Sequence, residues 1–156
     1  METREALKLI GCVILCELAG AIGAMFTASS ITGWYSGLAK PALTPPNWVF
    51  GPAWTLLYAL MGISFYLVYS SKSKEKKGAM IFFGAQLALN VLWSIAFFGL
   101  HSPLYGLLVI VPMWILIAAT IWKFNPISRN AALLLIPYIL WTTFAAYLNY
   151  SVFALN

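Results

Sequence analysis

Five stretches of this chain, 7–28, 48–71, 79–100, 104–123 and 130–153, are each apolar over about the 20 residues that a helix needs to cross roughly 30 Å of hydrocarbon. In lipid every backbone N–H and C=O must find a partner within the protein, and a helix supplies those partners inside the segment itself. The pattern predicts an all-α integral membrane protein, with residues 1–156 forming a single five-transmembrane-helix bundle. Composition agrees: 62% of the residues are hydrophobic and only 8% charged, with a mean hydropathy of +0.87. The first stretch has a competing reading as a signal peptide, because Arg4 and Lys8 precede an apolar run and Ala19-Gly20-Ala21 resembles a cleavage site. Its apolar run continues past that site to Phe26, which favours a span. A lipoprotein signal fits less well, since bulky Leu15 precedes Cys16.

A formal net charge of +5 would point to nucleic acid in a soluble chain. Here the placement of the charges matters more, and no nucleic-acid partner is expected. With five spans, Arg4, Lys8, Lys72, Lys74, Lys76, Lys77, Lys123 and Arg129 fall on one side of the bilayer and Lys40 alone on the other, eight of the nine basic residues against one. The positive-inside rule then predicts a multi-pass protein of the cell membrane with its N-terminus cytoplasmic and its C-terminus outside. The 72–77 loop could touch anionic headgroups, but ordinary topogenic charge accounts for it. Cys12 and Cys16, one helical turn apart, read as buried thiols, because a metal site would need more ligands than one His and two Cys provide.

The 29–47 segment is too apolar for a disordered tether and too rich in Pro and Gly for one helix. It is expected to fold as a lid over one end of the bundle, or else to lie at the interface with Trp34 and Tyr35 as headgroup anchors. Asn47 is placed to cap the second span, and Pro52 falls in its first turns. Residues four apart share a helix face. Trp54, Tyr58 and Gly62 form such a stripe on the second span, where the small Gly62 is expected to leave room beside the two aromatics. Gln86, Asn90 and Ser94 form a polar one on the third, beside Trp93 and Phe97; Pro137, Trp141, Ala145 and Asn149 form another on the fifth, with Tyr138 and Thr142 alongside. Amides in hydrocarbon must find partners, so the polar line faces the bundle interior. These stripes predict a cavity between spans two, three and five beneath the long loop, while periodicity leaves open that the amides only tie helix to helix.

The same residues carry a family resemblance. Trp34-Tyr35-x-x-Leu38-x-Lys40-Pro41 is followed by Pro45-Pro46-x-Trp48-x-x-Gly51-Pro52-x-Trp54-x-x-x-Tyr58. Then come Gln86-Leu87-x-Leu89-Asn90-x-x-Trp93 with Phe97-Phe98-Gly99, and Pro137-Tyr138-x-x-Trp141-x-x-Phe144-Ala145-x-x-Leu148-Asn149. In this order they resemble the tryptophan-rich sensory protein, or translocator protein, family. The resemblance implies a five-helix bundle, often a homodimer, that binds porphyrins, above all protoporphyrin IX, and isoquinoline- and benzodiazepine-type ligands. It also implies, for some bacterial members, light- and oxygen-dependent breakdown of the bound porphyrin in stress response. The family's site falls on Trp54, Tyr58, Asn90, Trp93, Trp141 and Ala145, with Tyr35 and Pro45 from the covering loop; Ser94 joins them from the polar line. The sterol motif of animal members is absent, since no Lys or Arg follows Tyr150.

Iron ligation is poorly supplied. His101 is the sole histidine, in a short outer loop, so a free-base tetrapyrrole fits better than a tightly bound haem, and no metal or resident cofactor is expected. No Ser/His/Asp or Cys/His set assembles for hydrolysis. Tryptophan is electron-rich, which makes Trp54 and Trp141 the candidates for photochemistry, the alternative being that they only shape the cavity. Glu17, the one acid within a span, is a proton relay or a bond to a neighbouring helix without a nameable partner. The leading expectation is a membrane tetrapyrrole-binding protein. A porphyrin transporter is the alternative, and a scaffold assembled through the small pairs Ala19/Gly23, Gly20/Ala24 and Gly84/Ala88 is a third.

Overall fold

The computed structural model describes residues 3–156 and is all-helical over them, with helices α1 (Thr3–Ile31), α2 (Asn47–Tyr69), α3 (Lys76–Ser94), α4 (Pro103–Phe124), α5 (Arg129–Leu134) and α6 (Ile136–Leu155). A π-helical turn, Ile95–Gly99, continues α3, and a 3₁₀ turn, Tyr35–Gly37, lies in the first loop. Among the described residues five helical spans are long and apolar enough to cross a membrane, α5 and α6 together making the fifth.

Local chemistry explains the boundaries. The first helix runs three residues past the expected end because its polar tail is satisfied in helical form: Ser29 Oγ donates to the Phe26 carbonyl (3.0 Å) and Ser30 Oγ to the Phe98 carbonyl (2.8 Å). The loop is therefore 32–46. The second helix stops at Tyr69, two residues short of the expected 71, where Lys76 Nζ donates to the carbonyls of Tyr69 and Ser71 (2.9 and 2.7 Å). Asn47 does not cap α2: Pro46, in extended backbone, takes the cap position without a side-chain bond, and Asn47 is already helical. By contrast, Ser102 and Ser128 cap α4 and α5, accepting from the Tyr105 and Ala131 N–H groups. The fifth span breaks at Leu135 because Pro137 has no N–H for the Leu133 carbonyl.

Around the bundle α1 lies between α2 and α3, α3 packs on α4, α4 on α6, and α5 closes the ring against α2. Towards the end where α1 begins, the helices pack closely. Gly62 of α2 lets α1 approach so closely that a Cβ there would sit 2.5 Å from Val13 Cα and 3.0 Å from the Cys12 carbonyl. The room beside Trp54 and Tyr58 expected at Gly62 is thus filled by α1 backbone. Phe65, Phe83 and Phe124 stack in series at 4.7 and 5.8 Å, and Ser64 Oγ donates to the Ala131 carbonyl (2.7 Å), joining α2 to α5.

Candidate functional site

Towards the other end the helices part around a cavity of about 320 Å³, within the usual range of roughly 300–1,000 Å³ for small-molecule sites. Its aromatic walls are Trp54 and Phe50 from α2, Trp93, Phe97 and Phe98 from the third span, and Trp141 and Phe144 from α6. Trp54 stacks on Tyr58 (centroids 5.6 Å apart) and leans on Trp93 (6.4 Å), while Phe50 meets Trp141 edge to face (6.2 Å). These contacts hold large flat side chains in one arrangement.

Glu17 and Tyr58 stand at the middle of α1 and α2, and Trp141 near the middle of the fifth span, so the cavity floor lies at mid-depth of the bundle. Below the floor a hydrogen-bonded chain crosses three helices. Tyr58 Oη donates to Asn90 Oδ1, Asn90 Nδ2 to Tyr138 Oη (2.9 Å), and Tyr138 Oη to Gln86 Oε1 (2.9 Å), all of them buried. Higher up, Trp93 Nε1 donates to Asn149 Oδ1 (3.0 Å), whose Nδ2 donates to the Pro103 carbonyl (2.8 Å). The Trp54 and Trp141 indole N–H groups donate to nothing among the described residues, and both side chains are only half-buried.

The first loop covers the top. Tyr35 is 5% exposed, packs edge-on to Phe97 and Phe98, and lines the cavity. Burial pushes its phenol pKa up. Three fastenings hold the loop. Lys40 Nζ donates to the carbonyls of Tyr35, Ser36 and Leu38; Asn156 exchanges two 3.0 Å hydrogen bonds with the Ala39 backbone; and Trp34 stacks on His101 (4.9 Å). His101 adopts φ 53°, a left-handed backbone uncommon outside glycine, and its Nε2 lies 3.1 Å from Ser30 Oγ.

Of the site residues expected from the sequence, Tyr35, Trp54, Tyr58, Trp93, Ser94, Trp141 and Ala145 line this one cavity. Asn90 and Pro45 do not. Asn90 lies behind Tyr58 and positions it, while Pro45 is half-buried in the loop away from the walls. The expected three walls are four, because α1 contributes Glu17, Gly20, Gly23, Ala24 and Thr27. Their signal was the 3- and 4-residue spacing of small residues after Glu17, which also suits helix assembly. Two of those glycines are filled from opposite sides, Gly20 by the Tyr58 ring and Gly23 by Ser94. Exposed lining residues Ala21, Ala24, Gly51 and Thr55 leave the cavity open along the α1–α2 seam.

The chain is 45% identical over 150 residues to the tryptophan-rich protein TspO of Archaeoglobus fulgidus, covering 96% of this chain and 97% of that one. Identity to the TspO of Chlorobaculum tepidum is 41% over 155 residues, 98% of each chain. The translocator protein of Homo sapiens is 35% identical over 150 residues, covering 94% of this chain and 89% of its own. Residues 12–155 match the description of one family from the first span to the last, and this five-span membrane protein belongs to it: the TspO/MBR family.

Proposed function

We propose that this protein binds a free-base tetrapyrrole, protoporphyrin IX, in the aromatic cavity, accepts isoquinoline- and benzodiazepine-type ligands there, and promotes light- and oxygen-dependent loss of the porphyrin in stress response. One observation carries the reading: Trp54 and Trp141 border a preformed cavity with their indole N–H groups uncommitted. Flat apolar walls suit a macrocycle, and the free N–H groups, with Ser94 and Thr27, suit its polar edge. An indole beside a light-excited porphyrin can give it an electron or intercept the reactive oxygen that it forms with dioxygen.

The basic ends of α1, the α2–α3 loop and the α4–α5 loop lie together, which supports a cell-membrane orientation with the N-terminus cytoplasmic and the covered cavity in the outer half. For a homodimer, the α3 face bearing Gly84 and Ala88 is the exposed small-residue pair, since Gly20 and Gly23 are occupied within the chain.

Illumination of purified protein with protoporphyrin IX, with and without oxygen, tests the function. The Trp54→Phe/Trp141→Phe variant keeps flat walls but is harder to oxidise, so at matched occupancy its porphyrin loss is expected to fall sharply with only a modest loss of affinity. Bleaching at the wild-type rate would reduce both tryptophans to walls.

A further inference from the structure

Glu17 lines the cavity floor with no hydrogen-bond or ion-pair partner among the described residues. It sits at the middle of α1, where a charged side chain is most costly and is normally paired. The sole ion pair among the described residues is Lys8 with Glu5 (2.7 Å), at the helix end. Lys8 precedes Glu17 by nine residues, about 14 Å along the axis at 1.5 Å per residue, and every other basic side chain belongs to a loop or a helix terminus. The Tyr58 hydroxyl, which meets the floor from α2, is already bonded to Asn90. One turn on, Gly20 is covered by the Tyr58 ring and Ala21 is small and exposed, and both line the same cavity as Glu17.

We propose that Glu17 is a specificity-determining residue: it selects flat aromatic ligands that present a cationic or N–H-bearing edge to the cavity floor, and it turns ligand carboxylates away towards the loop. The inference rests on the cavity being the ligand site. Its logic is that of an unpaired intramembrane charge. A cation arriving beside it supplies the missing counter-charge, and a carboxylate arriving there adds a like charge in the same low-dielectric site. For a tetrapyrrole with two carboxylates, the macrocycle enters with those groups trailing, towards Tyr35, Asn149 and Val152 at the loop end.

Two three-ring probes of like size separate charge from shape: 9-aminoacridine, a planar cation, and 9-anthracenecarboxylate, a planar anion. Their affinities for wild type, Glu17→Gln and Glu17→Asp are read from quenching of tryptophan fluorescence in one detergent, with displacement by protoporphyrin IX reporting occupancy of the cavity. Glu17→Gln is expected to weaken the cation about tenfold and to leave the anion unchanged or tighter. Glu17→Asp should keep the wild-type order. Each variant is compared at matched protoporphyrin IX binding, which shows that its cavity is formed. Equal shifts for cation and anion, or none for either, would overturn the role of Glu17 while leaving the cavity reading intact. Failure of protoporphyrin IX to displace either probe from wild type would overturn the cavity reading and this inference with it.

Discussion

Removing a hydroxyl from Tyr58 and from Tyr138 should have opposite rank orders on ligand binding and on stability. Tyr58 lines the cavity and makes one hydrogen bond, to Asn90 Oδ1. Tyr138 is fully buried beneath the floor and sits between two amides, accepting from Asn90 Nδ2 and donating to Gln86 Oε1. Gln86 Nε2 already has no partner among the described residues. Tyr58→Phe strands one buried acceptor, whereas Tyr138→Phe strands a donor and an acceptor and leaves the Gln86 amide unpaired at both ends. An unsatisfied buried group costs roughly 1–3 kcal/mol in soluble proteins, and hydrogen bonds between membrane helices average about 0.6 kcal/mol. Between these figures, Tyr58→Phe should cost about 1 kcal/mol and Tyr138→Phe about 2 kcal/mol. Unfolding in mixed micelles with a rising fraction of dodecyl sulfate, followed by helical circular dichroism, measures both. Affinity for protoporphyrin IX should move the other way, with Tyr58→Phe altering it more. If Tyr58→Phe is as destabilising as Tyr138→Phe, the chain of bonds below the floor does not carry the load assigned to it.

Gly62→Ala should destabilise by about 2 kcal/mol through overpacking against the α1 backbone, while Gly84→Ala, whose added Cβ meets nothing within 4 Å, should be neutral or stabilising in the same unfolding assay. Asn156→Ala removes both bonds to Ala39 and should speed hydrogen exchange in the 35–41 segment without changing that of α2; unchanged exchange would show the loop held by its other fastenings. Cysteines placed at Lys40 and Lys74, in a background with Cys12 and Cys16 replaced, should react with an impermeant reagent from opposite sides of intact cells, and equal labelling would refute the orientation.

Much of this arrangement was legible in the sequence because helical spacing reports which residues share a face. The Trp54–Tyr58 stripe, the Gln86–Asn90–Ser94 line and the Trp141–Ala145–Asn149 line each turn inward as their periodicity requires. Spacing does not report the order of helices around a ring, nor how closely two helices approach. For that reason α1 was missing from the expected walls, although Gly20 and Gly23 carried its signal. For the same reason Gly62 was read as space beside the aromatics, when its lack of a Cβ serves backbone contact with Val13. Ser94 and Asn90 share one stripe yet have different surroundings. Ser94 reaches the cavity, whereas one turn lower the Tyr58 ring, seated on Gly20, stands in front of Asn90. The depth at which a stripe passes from cavity to core depends on side chains from other helices. The missing cap at Asn47 is a local case of the same limit: a capping residue type was present, but the preceding proline, in extended backbone, holds the cap position and Asn47 is the first helical residue.

A hollow in a membrane bundle persists only if its walls cannot close on it, because neighbouring helices gain dispersion contacts by collapsing into empty space. Here collapse is opposed at three levels. At the end where α1 begins, Gly62 on Val13 and Ser64 on Ala131 fix α2 against α1 and α5. At mid-depth the chain from Tyr58 through Asn90 and Tyr138 to Gln86 spans α2, α3 and α6, so none of these helices can slide inward without stranding a buried polar group. At the opposite end the first loop is bonded to Asn156 and stacked on His101, which ties α1, the third span and α6 together above the opening. The aromatic walls stand on these supports, so a ligand of the proposed kind would meet a cavity already formed. Little ordering would remain to be done on binding, which would leave affinity to be set by the fit of flat surfaces and by polar groups left unspent: the indoles of Trp54 and Trp141, and the carboxyl of Glu17.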